Sequence, residues 1–116
     1  MGDIIATDKV SGDRIFIEVK KDGCIAKTHN LLCEEKVYYY ETKSYKKGNF
    51  HSGYDVYCVF SEAERKIYVM DFRKLKEHYK SGKAKIIRHS EQDTYCYLCP
   101  LQSVRSWGAM IAELDF

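Results

Sequence analysis

The chain has 116 residues, 45 % of them hydrophobic and 31 % charged, with a formal net charge of +2. That length suits one domain, residues 1–116, able to bury its own core; the composition excludes a disordered chain, and the mild charge neither announces nor excludes a nucleic-acid partner. No apolar run approaches a membrane span, and the start MGDIIATDK lacks the parts of a secretion signal, so the expectation is a cytoplasmic domain with no membrane partner.

In chain order, Ile4–Ala6 is a short apolar run followed by the polar stretch TDKVSGDR. RIFIEVKK, residues 14–21, alternates Ile15, Ile17 and Val19 with Phe16, Glu18 and Lys20, which is a strand pattern. The two runs predict a hairpin turning near Ser11–Gly12–Asp13, and Asp22–Gly23 marks a further turn. A strand is expected within residues 30–43, then a basic loop or very short helix over residues 44–53. YDVYCVF (54–60) and KIYVM (66–70) flank the compact turn SEAERK and predict a second hairpin. Asp71 is placed to cap a helix running to Tyr79, with Phe72, Leu75 and Tyr79 on one face, ended by Ser81–Gly82. Short strands are expected within residues 83–89 and 95–98, the latter closed by Pro100. Residues 103–112 read as a last helix or an irregular strand, Gly108 weakening the helix. Strands outnumber helices, so the fold class is α+β or mixed α/β.

Three residues carry chemistry. Glu18 and Lys20 lie two apart on one strand and therefore emerge on the same face. If the hairpin pairs Ile4–Ala6 with Ile15–Val19, Asp3 falls near Glu18, and two carboxylates meet beside an ammonium. Hard oxygen ligands of this kind hold Mg²⁺ against a phosphate. The Val19 carbonyl, flanked by both side chains, is a further candidate ligand. A Glu-x-Lys pair by itself is equally what a solvent-facing strand carries.

The stretch GDIIATDKVSGDRIFIEVK resembles the central signature of the restriction-endonuclease-like, or PD-(D/E)xK, nuclease superfamily. There an Asp opens one core strand, a hairpin follows, and the next strand carries Glu-x-Lys. Asp3 matches the first acid, and Glu18 and Lys20 match the last two positions. The segments KTHNLLCEE and SGYDVYCVF…KIYVMDFRKLKEHY are similar to small phage or bacterial members, so that residues 1–80 share the likeness. The resemblance implies a mixed β-sheet with one or two flanking helices and metal-dependent hydrolysis of DNA. Asp3, Glu18 and the Val19 carbonyl would bind Mg²⁺ (or Mn²⁺), and Lys20 would assist the water. The sequence departs from the pattern in two ways. Gly2 stands where a proline usually precedes the Asp, and the helix that usually comes before the first acid has no counterpart here. The expected fold therefore has its N-terminal helix missing, whether supplied by a partner subunit, replaced by a C-terminal element or absent through truncation, and a homodimer is an expectation.

Further carboxylates for the site are Glu34, Glu35, Asp22 and Asp55, with Glu34 preferred because its strand is expected beside the catalytic one. Lys21, Lys43, Lys46 and Lys47 are candidates for a DNA backbone contact, with a second basic patch over Lys83, Lys85, Arg88 and His89. Cys96 and Cys99 form a Cys-x-x-Cys, half of a zinc framework that lacks a second pair, and a buried strand accounts for them better than zinc. Cys24 and Cys33 are assigned to adjoining strands or cores, His78 to solvent, and the tyrosines Tyr38–Tyr40 mainly to packing. The competing reading is a catalytically inactive module on the same fold, binding nucleic acid or assembling with protein.

Overall fold

The computed structural model describes residues 3–80, 86–89 and 94–116, with the side chains of Asp3, Lys80 and His89 outside the described set. The expectations at Ser81–Gly82 and at Lys83 and Lys85 lie outside the described residues. The strands are β1 (Asp3–Thr7), β2 (Arg14–Lys21), β3 (Asn30–Tyr39), β4 (Ser44–Lys47), β5 (Val56–Ser61), β6 (Lys66–Asp71), β7 (Ile86–His89), β8 (Thr94–Pro100) and β9 (Met110–Asp115). The helices are α1 (Ile25–Thr28), α2 (Phe72–Lys80) and α3 (Leu101–Ser106), with a 3₁₀ turn at Asn49–His51.

Two sheets form instead of one. The first has the order β1-β2-β5-β6-β9 and is mixed, because β2 and β5 run parallel while its other pairs are antiparallel. The second, β4-β3-β8-β7, is antiparallel throughout. The result is a mixed α/β domain with few helices.

Local chemistry sets the turns. Asp8 accepts hydrogen bonds from the Val10 and Ser11 amides at 2.8 and 2.9 Å, and Gly12 supplies φ +75°, so the β1–β2 hairpin turns where the sequence predicts. The Asp22 carboxylate accepts the Cys24 and Ile25 amides, and the chain enters α1 there. Cys24 thus opens a helix and is exposed, in neither a strand nor a core, whereas Cys33 is buried in β3 as expected. Asp71 accepts the Lys74 amide at 3.1 Å, the expected cap of α2. Gly108, at φ +72°, lies between α3 and β9, so residues 101–115 hold both a helix and a strand. The basic segment 44–53 also divides, because pairing of Tyr45 with Tyr38 draws Ser44–Lys47 into a strand before the 3₁₀ turn.

The core lies on one face of the mixed sheet. Tyr57, Val59, Tyr68 and Met70 of β5 and β6 are buried there against Phe72, Leu75 and Tyr79 of α2 and Leu101 and Val104 of α3. Leu31, Cys33 and Cys99 bring β3 and β8 onto the same cluster. The alternate residues of β5 and β6, Val56, Cys58, Phe60, Ile67 and Val69, are only half-buried. No helix among the described residues is long and apolar enough to cross a membrane.

Candidate functional site

The hairpin register places Asp3 directly opposite Glu18. On the other side of β2, Glu18 pairs with Tyr57 and Lys20 with Val59. Paired residues of neighbouring strands share a face. Glu18 and Lys20 therefore point to the side of the sheet that carries the core, and Ile15, Ile17 and Val19 point to the other.

Both charged residues line a hollow of about 440 Å³ whose far wall comes from the second sheet, through Leu32, Glu34, Thr94 and Cys96. Lys20 Nζ donates to Glu34 Oε1 at 2.6 Å and so bridges the two sheets. The strand β3 was expected beside β2. It belongs instead to the other sheet and faces β2 across the hollow, yet it delivers the preferred acid, Glu34, to Lys20.

Glu34 is held from behind. Asn49 Oδ1 accepts the Glu34 amide at 2.8 Å, and Asn49 Nδ2 donates to the Tyr57 hydroxyl at 3.2 Å. The Gly48 backbone packs so closely that a Cβ there would overlap the Glu34 carbonyl and come within 2.6 Å of its Cβ. Burial, and the Cys33 thiol beside it, raise the Tyr57 hydroxyl far above its ordinary value, so it stays protonated. Sequence reasoning missed Asn49 and Gly48. Their signal was a Gly-Asn in a basic loop, indistinguishable from ordinary turn chemistry.

The other candidates fall elsewhere. Asp55 accepts the Phe16 amide at 3.0 Å, pairs with Arg73, and lines a different hollow with Asp13 and Asp71. The Phe16 amide, followed by Arg73, lowers its pKa despite burial. Glu35 lies 3.5 Å from His51. Asp22 lines the Glu18 hollow but accepts two amides of the turn into α1. Lys21 pairs with Glu62 at 2.6 Å, Lys46 Nζ stands 4.7 Å from the Tyr39 ring centroid, and Lys43 and Lys47 belong to the exposed β3–β4 hairpin. His78, expected in solvent, stacks on Trp107 with ring centroids 3.4 Å apart.

The cysteines divide between two environments. Cys33 and Cys99 lie side by side in the core, 4.0 Å apart, whereas Cys96 lines the hollow. Burial and then the Glu34 carboxylate push the Cys96 thiol up to about 11, so it is neutral near pH 7.

The hollow is lined by the carboxylate residues Glu18, Asp22 and Glu34 and the hydroxyl residues Tyr57 and Thr94, oxygen donors of the kind that suit Mg²⁺ or Mn²⁺, together with Cys24, Cys96, Lys20 and Lys21. Among the described residues, no group of three or more His, Cys, Asp and Glu side chains converges on a point. Glu18 and Glu34 are two acids of the set, and the side chain of Asp3 lies outside the described residues. No protein family, curated protein or solved structure matches the chain.

Proposed function

We propose that the Glu18 hollow is a site of metal-dependent phosphodiester hydrolysis on DNA, in a restriction-endonuclease-like arrangement. The observation that carries this reading is the register of Asp3 opposite Glu18, with Lys20 two residues on and on the same face. A bound Mg²⁺ or Mn²⁺ would supply a Lewis acid that offsets phosphate charge and lowers the pKa of water. Glu18, Asp3 and the Val19 carbonyl would hold it, with Glu34 across the hollow as a further acid. Lys20 would orient the attacking water through its ammonium, which Glu34 fixes in place.

A second reading is a catalytically inactive module on the same fold that binds nucleic acid or assembles with protein. One observation favours it: the described side chains include no three-ligand cluster. On the described side chains alone this is the better-supported reading; the nuclease reading depends on Asp3. The half-buried apolar residues of β2, β5 and β6 give either reading a reason to form a homodimer, since an open apolar face favours a partner.

Cleavage of supercoiled and branched DNA separates the two. Hydrolysis should require Mg²⁺ and disappear in Glu18→Ala. Cutting that survives both chelation and the substitution sinks the mechanism, while DNA binding without cutting selects the second reading. Sedimentation of the same preparations tests the dimer, which a monomer at assay concentrations would exclude.

A further inference from the structure

The second sheet carries a feature that the hollow does not use. Tyr38 pairs with Tyr45 and Lys36 with Lys47 across β3 and β4. Lys36 also pairs with Tyr95 of β8, and Tyr95 with Arg88 of β7. These six residues therefore occupy one face across four strands, three rings among three cations.

The rings form a ladder. Tyr38 and Tyr45 meet edge to face at 5.1 Å, and Tyr45 and Tyr95 at 5.8 Å. Lys36 Nζ lies 4.7 Å from the Tyr45 ring centroid and 4.6 Å from that of Tyr95. Tyr45 is 44 % exposed. Among the described residues, no acid forms an ion pair with Lys36, Lys43, Lys46 or Lys47. Cross-strand packing explains the tyrosines but not the lysines beside them, which no described acid pairs. Lysines along the β4 edge also oppose pairing with another strand, which argues against a protein strand as the occupant.

We propose that this face binds single-stranded nucleic acid without sequence preference, bases stacking on Tyr45 and its neighbouring rings while Lys36, Lys47 and Arg88 follow the phosphates. Exposed rings interleaved with cations are what such binding needs, because every base has a π-face and every linkage a charge. The proposal stands apart from the hydrolytic reading, since it uses neither Glu18 nor Lys20.

The test is fluorescence anisotropy of a labelled oligothymidylate with the full chain in excess chelator, where no metal-dependent cutting intervenes. Tyr45→Ala should weaken binding about 5- to 150-fold, the range for losing one stacked base, and Tyr45→Phe should restore it. Lys47→Ala should reduce the salt slope by about 0.7, one single-strand phosphate contact. Lys9→Ala, at an exposed lysine of the β1–β2 turn, should bind like the unmodified protein. Thermal melts of each variant report folding, and Lys47→Ala, at an exposed edge position, serves if Tyr45→Ala does not fold. Absence of oligothymidylate binding overturns the proposal. So does binding indifferent to both Tyr45 and Lys47, or a Tyr45-dependent dimer that binds no oligonucleotide.

Discussion

At the scale of single residues, the candidate site depends on a glycine whose backbone is ordinary. Gly48 has φ −81°, which any residue adopts, so its requirement is space and not conformation. A methyl group there would overlap the Glu34 carbonyl. The neighbour that must move is backbone in β3, tied through Asn49 to Tyr57, and it has no flexible end to swing aside. Gly48→Ala should therefore destabilise the fold by about 1–3 kcal/mol, the usual cost of overpacking, and displace Glu34 from Lys20. Gly23 is the control, because a Cβ there meets nothing within 4 Å. Urea midpoints of the two variants measure the difference. Equal midpoints would show that β3 yields freely and that Gly48 does not define the wall of the hollow.

At the scale of elements, Asp55 ties β2 to α2, accepting the Phe16 amide and pairing with Arg73. Its folded pKa lies below the ordinary 3.8, chiefly through the Phe16 amide. A depressed carboxyl pKa gives stability that is complete above the unfolded value and is lost as pH falls through the folded one. The stability gap between the unmodified protein and Asp55→Asn should thus be constant near neutral pH and shrink once pH drops below about 3.8. Denaturation midpoints across that range check it, and a gap that widens on acidification would refute the assignment. Much at this scale was legible in the sequence. Both hairpins follow from short apolar runs flanking turn residues, and α2 follows from Asp71 and the spacing of Phe72, Leu75 and Tyr79. What stayed hidden were partners distant in sequence. Alternation in β2 separates Glu18 and Lys20 from Ile15, Ile17 and Val19, but only the parallel pairing with β5 decides which set meets the core. Both faces of β5 are apolar, so its sequence does not orient its neighbour. Likewise β4 is a strand because Tyr45 meets Tyr38, a contact no property of SYKK announces.

At the scale of the whole molecule, the hollow lies where two sheets face each other, and the Lys20–Glu34 pair crosses the gap. Its worth to folding and its worth to chemistry are separable. The two side chains are 37 % and 26 % exposed, so water screens the attraction, and such pairs contribute about 0.2–1 kcal/mol. The sheets are held instead by the apolar cluster of Leu31, Cys33 and Cys99 against Tyr57 and Val59. Replacing both partners together, Lys20→Met with Glu34→Gln, removes the charges without stranding either one in the hollow. The double variant should unfold within about 1 kcal/mol of the unmodified protein. Single replacement of Lys20 should cost more, because Glu34 is then left unpaired in a half-buried wall. If the hollow hydrolyses DNA, the double variant loses cleavage while keeping its stability, since the ammonium that orients water is gone. If the pair instead fastens the two sheets together, the double variant loses clearly more than about 1 kcal/mol, the upper end for such an exposed pair. Paired denaturation and cleavage assays on these variants separate a charge pair kept for chemistry from one kept for the fold.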